Sequence, residues 1–346
     1  MEKKELLFRC TFSAPNKIII SGEHSVNFGC LAIASAINQR TITEGFVYKE
    51  NKTMPPSIIV NSNVLPQEFK IELTDICNKV FNTINENIVF NSKNTNNSNH
   101  LPNQIKEIKD RESKIPHCIY QMIFSCIEAI FSNKEDFSII DKFIHLNHSL
   151  KLSIESDESI IGQGLGSSAS FCLTLTAAFL KTLLYIKSLF TKSIPSISEK
   201  KFKEIVYQCA FRGENIIHSK SSGLDLITSL NGGILFFKKA NSIIEFKFCQ
   251  NRVFQDLQII IINSNVKKRT SEAVSFVLEL AKKDQAKFEI LLKKWNEITN
   301  KIEELLTQNC CISKFSEFSS LVADNQKILE DLNLSIPEFN IIVEYN

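Results

Sequence analysis

Alternating apolar and polar residues predict strands at the beginning of the chain and again near its middle. Residues 6–20 alternate and end in a continuous apolar run, and residues 149–156 alternate throughout. Both patterns are typical of β-strands. Residues 41–73 contain further β-rich pieces, whereas the small apolar residues 28–37 (FGCLAIASAI) predict a packed helix or the start of one.

Helical patterns dominate the second half of the chain. The stretch 171–190 (FCLTLTAAFLKTLLYIKSLF) is apolar on almost all sides, which predicts a deeply buried helix. Other helices are predicted at 118–131, 198–218 and, amphipathic with Lys and Glu outside, 271–307, and further strands at 233–248 and 257–263. The length of 346 residues favours two domains.

The region 84–116 differs in composition from the rest of the chain. Its segment NSKNTNNSNHLPNQ is rich in Asn and Ser and almost free of apolar residues, so it cannot contribute to a core. We therefore expect residues 84–116 to form a mobile surface loop within a domain.

The amino-acid composition argues against some kinds of binding partner for this chain. The chain is 43% hydrophobic and 23% charged with a formal net charge of +2, as in ordinary soluble proteins. No Lys/Arg-rich block is present, which argues against nucleic acid as a partner. The longest uninterrupted apolar runs, such as Ile259–Ile262, are too short to cross a bilayer, and the first residues lack the apolar core of a signal peptide. Ten cysteines without a C-x-x-C pair predict free thiols, and we expect a cytoplasmic protein without a membrane partner.

A glycine-rich segment between a predicted strand and the buried helix is the first candidate for chemistry. Its candidate nucleotide-binding residues are Gly162, Gly164, Leu165, Gly166, Ser167 and Ser168. Closely spaced glycines allow backbone N–H groups to converge on an anion, and a following helix start favours phosphate. A Walker loop is excluded because no Gly-Lys-Ser/Thr follows, and a dinucleotide fold is disfavoured because no acidic residue occurs between Glu158 and Glu199. A simple capped turn remains an alternative on this motif alone.

Two ordered blocks resemble the GHMP kinase superfamily. GLGSSA resembles its second signature, and SAPNKIIISGEHSVNFGCLAIASAI resembles its first signature in the form found in mevalonate kinases. Galactokinases continue their Gly-Glu-His into Asp-Tyr, which is absent here. The resemblance implies that Lys17 lies near the phosphates and the reacting oxygen, and that Glu23 and His24 line the substrate pocket. Asn16 replaces the usual Gly before Lys17, and Asn is the next best choice if this position needs positive φ.

A third block, FRGENIIHSKSSGLDLITSLNGGILFF, resembles the segment of mevalonate kinases that carries two functional carboxylates. By this resemblance, Glu214 binds Mg²⁺ together with Ser168, and Asp225 accepts the proton of the substrate hydroxyl beside Lys17. His218 is assigned no role beyond structure. Lys220 and Ser221 replace the usual Asn-Pro, so the intervening turn should differ from that of the family.

Two further residues are assigned by the same resemblance. Thr270, in NVKKRTSEAV, matches a substrate-contacting Thr at the start of a helix, although an ordinary N-cap is the alternative. Asn63, in VNSNVLP, matches a position near the adenine nucleotide.

The resemblance implies an α+β, two-domain GHMP kinase fold, with a ribosomal-protein-like domain at 1–230 and an incomplete ferredoxin-like domain at 231–346. The implied reaction is Mg²⁺- and ATP-dependent phosphorylation of mevalonate to 5-phosphomevalonate in isoprenoid and sterol synthesis, with a homodimer as one expected assembly. Phosphomevalonate or galactose as substrate, or a nucleotide-binding pseudokinase, are the alternatives. No glycine follows Gly233, so the family's third, glycine-rich signature is absent and we expect weak or no turnover.

Overall fold

The computed structural model describes most of the chain in two compact units. The residues described are 4–50, 55–63, 65–90, 111–131, 134–157, 163–191, 197–218, 221–240, 243–250, 260, 262, 270–308 and 314–335. The first unit comprises Met1–Asn16, Asn38–Ile161 and Gly166–Ser221, and the second unit comprises Lys17–Ile37, Gly162–Leu165 and Ser222–Asn346. The predicted domain boundary between residues 230 and 231 stays a prediction.

The strands pair differently in the two units. They are β1 (Glu5–Ser21), β2 (Leu31–Lys49), β3 (Ser57–Ser62), β4 (Phe69–Glu72), β5 (His148–Ser156), β6 (Ile234–Ala240) and β7 (Ile243–Phe248). In the first unit, β3 lies between β4 and β5, parallel to β5, and the second half of β2 pairs antiparallel with β5. In the second unit, the first residues of β2 pair antiparallel with β6, which pairs antiparallel with β7. The long strand β1 pairs with β2.

Most of the first unit's core is helical. The helices of the chain are α1 (Leu73–Phe90), α2 (Arg111–Ile130), α3 (Lys134–His145), α4 (Ser167–Phe190), α5 (Glu199–His218), α6 (Leu224–Asn231), α7 (Thr270–Lys283), α8 (Gln285–Thr307) and α9 (Phe315–Asp331). Helix α4 packs against α2, α3 and α5. By length and composition α4 resembles a membrane-spanning helix, but 89% of its most apolar stretch is buried within the protein. Its all-round hydrophobicity therefore reflects a position at the centre of a core, as the sequence predicted.

The helix predicted for residues 28–37 is wrong. Residues Ser25–Phe28 form a short 3₁₀ turn that ends at Gly29 with φ 81°, and β2 begins at Leu31. Ala32, Ile33 and Ala34 are all fully buried, so both faces of this part of β2 lie in the protein. A strand buried on both faces shows a continuous apolar run, which periodicity cannot distinguish from a buried helix.

The predicted loop at 84–116 is wrong at both edges. Helix α1 continues to Phe90 and α2 already begins at Arg111, so regular structure extends into the polar region from either side. Residues 91–110 lie outside the described residues. The strand predicted at 257–263 also falls almost entirely outside them, while the other predicted strands and helices are confirmed with shifted ends.

The second unit has its own core, centred on Trp295. Its buried members include Ile33, Phe236, Trp295, Ile298, Ile302, Leu306 and Ile328. A buried polar cluster lies within this core: Ser21 Oγ donates to Asn325 Oδ1 at 2.8 Å and lies 2.7 Å from Thr299 Oγ1, and Trp295 Nε1 donates to Asn325 Oδ1 at 2.8 Å. These hydrogen bonds hold the end of β1 against α8 and α9.

Gly22, directly after β1, can only be glycine. Its φ is +90°, and an added Cβ would lie 2.4 Å from the carbonyl oxygen of Leu31 and 2.7 Å from Cα of Ala32. We expect Gly22→Ala to lower the free energy of unfolding by about 3 kcal/mol or more, because backbone strain and a backbone clash add together. Gly29→Ala is the matched control, since Gly29 has φ +81° with its nearest atom at 3.8 Å.

Urea unfolding of both variants measures this difference. Strain alone should cost Gly29→Ala about 1–3 kcal/mol, less than Gly22→Ala. Equal losses for the two variants would show that the close approach of β2 to Gly22 does not constrain the residues that follow β1.

Candidate active site

Lys17 and Asp225 form an ion pair in the second unit. Lys17 lies in β1 and is 3% exposed, and its Nζ lies 3.1 Å from Oδ1 of Asp225. Asp225 stands in the first turn of α6, which begins after Gly223 in a left-handed conformation with φ 86°. A carboxylate in a first turn is stabilised by the helix dipole. The Asp225 side chain is 29% exposed, so one partner of the pair is buried and the other reaches solvent.

Lys17 also contacts the described part of the glycine-rich segment. Its backbone N–H donates to the carbonyl of Leu165 at 2.9 Å, and its Nζ donates to the carbonyl of Gly164 at 3.3 Å. Gly164 has φ +80° with open space where a Cβ would point. The structure therefore brings Lys17, Gly164, Leu165 and Asp225 together, as the sequence predicted for Lys17 and Asp225.

Helix α4 begins directly after the glycine-rich segment with its first amide groups uncapped by a side chain. Gly166 is the N-cap residue, with φ 74°, and Ser167 is the first helical residue. The N–H groups of a first helical turn have no partner within the helix and attract anions. Gly162 lies outside the described residues, so the predicted anion site is described from Gln163 onward.

Ser168 faces helix α5 in the first unit. Its Oγ lies 2.9 Å from Nε2 of His218, the last residue of α5. Glu214 stands one helical turn before His218, so both side chains lie on the same side of α5. Glu214 is 1% exposed, and its Oε2 accepts a hydrogen bond from the hydroxyl of Ser221 at 2.9 Å. Sequence reasoning assigned neither His218 nor Ser221 to the site.

The buried carboxylate of Glu214 influences its neighbours. Burial raises the pKa of Tyr207 to about 12, and the negative charge of Glu214 adds to this effect. The pKa of Cys172 is also raised, through its hydrogen bond with Cys118, through burial and through the same carboxylate. A buried carboxylate requires a charged or hydrogen-bonding partner, and the Ser221 hydroxyl supplies one such hydrogen bond.

Ser168 and Glu214, the predicted magnesium ligands, carry a hydroxyl and a carboxylate oxygen, and their joint role stays a prediction. Hydroxyl and carboxylate oxygens are ligands that Mg²⁺ prefers, and Mg²⁺ in kinases takes few protein ligands because phosphates complete its shell. Within the described parts of the chain, no cluster of three His, Cys, Asp or Glu side chains could hold a metal by itself. A site of this kind therefore depends on oxygens from the ligand.

The turn that precedes Asp225 is tied to β6. Lys239 Nζ donates to the carbonyl of Ser222 at 3.3 Å, and burial lowers the pKa of Lys239. Ser222 Oγ in turn accepts from the backbone N–H of Leu224 at 3.2 Å. These contacts fix the start of α6, and with it the carboxylate of Asp225.

Glu23 and His24, the predicted substrate residues, follow β1 in the second unit. His24 is 4% exposed, and its ring meets the indole of Trp295 edge-on with 6.1 Å between ring centroids. Because Gly22 packs tightly against β2, the backbone entering Glu23 and His24 is held in one conformation. Their roles as substrate contacts stay predictions.

The sequence also singled out Asn63, Thr270 and Asn16. Asn63 Nδ2 donates to the carbonyl of Ser156 at 2.6 Å, and its Oδ1 accepts from the N–H of Ser156 at 3.1 Å, so its amide is engaged by the end of β5. Thr270 is the first residue of α7, as predicted, and its side chain lies outside the described residues. Asn16 lies in β1 without positive φ, so its replacement of glycine has another physical basis than backbone strain.

Mevalonate kinases are among the proteins that resemble this chain in sequence. A mevalonate kinase from Dictyostelium discoideum is 26% identical over 331 residues, covering 93% of this chain and 74% of that protein. A mevalonate kinase from Aspergillus fumigatus is 24% identical over 351 residues, covering 96% of this chain and 61% of that protein. No protein-family model matches the chain.

Solved structures support the fold. The crystal structure of L. major mevalonate kinase in complex with R-mevalonate superposes with a TM-score of 0.59 at 18% identity, covering 99% of this chain and 82% of that one. The predicted α+β fold class is thereby confirmed.

Proposed function

Because this chain belongs to the GHMP kinase superfamily as a homologue of its mevalonate kinases, we propose that it transfers the γ-phosphoryl group of ATP to the C5 hydroxyl of (R)-mevalonate. The observation that carries this proposal is the ion pair of buried Lys17 with Asp225, 3.1 Å apart, in contact with the glycine-rich segment through Lys17. Phosphoryl transfer needs positioning, positive charge beside the phosphate and an acceptor for the hydroxyl proton. This arrangement offers all three.

Asp225 and Lys17 have different roles in the proposed reaction. The partly exposed carboxylate of Asp225 accepts the proton of the attacking hydroxyl as the new P–O bond forms. The ammonium of Lys17 is held by the Gly164 carbonyl and Asp225, so its positive charge is fixed before the reaction begins. A charge fixed in advance stabilises the oxygens that gain negative charge, at no cost of reorganisation.

The glycine-rich segment and the start of α4 would bind the phosphates of ATP. The uncapped amides after Gly166 supply N–H donors, and Ser168 and Glu214 would hold Mg²⁺. When bound, the metal neutralises charge on the phosphate oxygens.

Removing the carboxylate of Glu214 should weaken metal use. We expect Glu214→Gln to raise the Mg²⁺ concentration needed for half-maximal phosphate transfer about tenfold or more, because a neutral amide is a poorer ligand. Binding of Mn²⁺ in the presence of ATP, followed by electron paramagnetic resonance, gives a readout that does not need turnover. Glu204→Gln on the exposed side of α5 is the control, since Glu204 is exposed and forms an ion pair with Lys201. Equal Mn²⁺ affinity in the two variants would remove Glu214 from the metal site.

A substrate panel tests the proposed function. The chain is incubated with Mg²⁺ and γ-labelled ATP together with mevalonate, phosphomevalonate or galactose in parallel. We expect label in the mevalonate product alone, transferred slowly because no glycine-rich motif follows Gly233. Faster transfer to another alcohol would change the substrate, and ATP binding without transfer to any of them would support a nucleotide-binding pseudokinase.

The proposed setting is isoprenoid and sterol synthesis in the cytoplasm. Eight described cysteines are free thiols, which fits a reducing compartment. A homodimer stays a prediction.

A further inference from the structure

A chain of buried hydroxyl groups in the first unit joins the end of β5 to the start of α4. Ser170 Oγ donates to Asn16 Oδ1 at 2.6 Å, Thr41 Oγ1 lies 2.8 Å from Ser170 Oγ, and Ser156 Oγ lies 2.9 Å from Thr41 Oγ1. Asn16, Thr41 and Ser170 are fully buried, and Ser156 is nearly so. We call these four residues the hydroxyl network.

The donors of the hydroxyl network run in one direction. The single proton of Ser170 goes to Asn16 Oδ1 at 2.6 Å, with the Ser167 carbonyl as a second acceptor at 3.1 Å. Ser170 therefore accepts from Thr41, and Thr41 accepts from Ser156. Hydrogen bonds in such a series polarise one another, and a dry environment strengthens them. Thr41 is the central link, because its hydroxyl touches both neighbours.

Asn63 extends the hydroxyl network at its outer end. Its side-chain amide makes two hydrogen bonds with the backbone of Ser156, one with the carbonyl and one with the N–H. Asn63 follows β3, which runs parallel to β5, so these bonds fix the last residue of β5 to the neighbouring strand end. Ser156 is thus held through its side chain by Thr41 and through its backbone by Asn63.

The hydroxyl network contains a residue that lies shortly before the glycine-rich segment in the sequence and a residue that lies shortly after it. Ser156 is the last residue of β5, and Ser170 lies in the first turn of α4. The residues between these two serines include the glycine-rich segment, of which Gly164 and Gly166 have positive φ. Glycine-rich backbone loses much conformational freedom when it is ordered around a ligand. Ser170 closely follows the described part of this segment, so holding Ser170 in place reduces that loss before the ligand arrives.

We propose that Thr41 and Asn63 are positioning residues for ATP that act on the described part of the glycine-rich segment through Ser170. Thr41 contacts Ser170 directly, and Asn63 reaches it through Ser156 and Thr41. This inference rests on the proposed function, because it takes the glycine-rich segment as the phosphate-binding element. It assigns to Asn63 a role through the protein backbone in place of the predicted one near the adenine. It also explains Asn16, whose carbonyl oxygen receives the last hydrogen bond of the hydroxyl network.

The chain contains a matched control one helical turn away. Thr43 Oγ1 donates to Thr174 Oγ1 at 2.8 Å, and both residues are as buried as Thr41 and Ser170. Thr43 is two residues beyond Thr41 on the same face of β2, and Thr174 is four residues beyond Ser170 on α4. Thr43 contacts one hydroxyl group whereas Thr41 contacts two, and the Thr43 pair lies one helical turn farther along α4 from the glycine-rich segment.

The experiment compares Thr41→Val with Thr43→Val in the full chain. Each variant keeps the shape of the side chain and removes one buried hydroxyl, so similar decreases in Tm are expected. Two readouts follow: the Kd for ATP by calorimetry, and hydrogen exchange of the backbone over residues 163–170 without ligand. We expect Thr41→Val to raise the Kd about tenfold and to speed exchange there, as loss of a supporting residue around a site does. Thr43→Val should keep native values for both, and Thr41→Ser should restore them.

Asn63→Ala is the second test, since this residue lies at an exposed strand end and its removal leaves the core intact. A positioning role predicts faster exchange over 163–170 in the ATP-free chain, whereas a direct contact with ATP would change the Kd alone. Equal effects of Thr41→Val and Thr43→Val on both readouts would overturn the inference. If the native chain binds no ATP, the proposed function fails, while the exchange comparison still decides whether the hydroxyl network holds the segment.

Discussion

Replacement of Asp225 by Asn is expected to lower kcat by about 10²- to 10⁴-fold, the range that a general base contributes. The amide keeps the shape of the carboxylate and can still accept a hydrogen bond from Lys17, so the fold and ATP affinity should be retained. The loss should appear in kcat more than in the KM for mevalonate, because proton acceptance matters only as the P–O bond forms. Initial rates with saturating ATP and varied mevalonate measure it.

Asp331→Asn, at the exposed end of α9 in the same unit, is the matched control and should leave kcat unchanged. Calorimetric titration with ATP checks that the Asp225 variant still binds nucleotide. A variant that kept more than half of the native kcat would remove Asp225 from the role of base.

Replacement of Lys17 by Met is expected to reduce kcat/KM by about 10²- to 10³-fold, as loss of a fixed electrostatic group in an active site does. Methionine fills most of the volume of the buried lysine but has no charge. Asp225 then loses its partner, yet its side chain reaches solvent and can be hydrated, so the protein should remain folded. The reduction is measured from rates at low concentrations of both substrates.

Lys17→Arg separates charge from geometry. A guanidinium keeps the charge, but it does not present a single compact ammonium to the Gly164 carbonyl and Asp225, so we expect only partial recovery. Lys301→Met on the exposed side of α8 controls for the change in net charge. The combined Lys17→Met, Asp225→Asn variant should be little worse than either alone, because the two groups act as one unit. Full additivity would show that they act independently.

An element could be predicted where the hydrophobic pattern of a segment and its length both indicated the same type of structure. Helix α4 was evident because 20 consecutive residues are apolar on nearly every side, a length that only a buried helix explains. The start of β2 was missed because Ala32, Ile33 and Ala34 are small, apolar and buried on both faces. Such a run is equally compatible with helix or strand, and its pairing with β6, almost 200 residues later, decides the outcome.

The sequence predicted only some residues of the candidate site, because contacts between distant segments depend on tertiary packing. Ordered motifs indicated Lys17 and Asp225, and the structure brings them together. His218 was passed over, although its spacing of four residues from Glu214 places both on one face of a helix. Helical spacing shows which residues share a face, but the partner across that face, here Ser168, depends on tertiary packing.

Asn63 shows the same limit. The motif around Asn63 predicted a position near the nucleotide, but it did not predict the hydrogen bonds with Ser156. Only the parallel pairing of β3 with β5 brings its amide to the backbone of Ser156. A side chain that acts through another residue leaves no signal in the spacing of the sequence.

Transfer of labelled phosphate from γ-³²P-ATP to mevalonate in a single turnover tests most directly whether Lys17 and Asp225 carry the reaction. The native chain, mixed in excess over labelled ATP and quenched at intervals, is expected to place the label on mevalonate, while the Asp225→Asn variant binds the same ATP and transfers almost none. If both proteins transferred label at the same rate, or if the native chain bound ATP and never labelled mevalonate, the account would be contradicted.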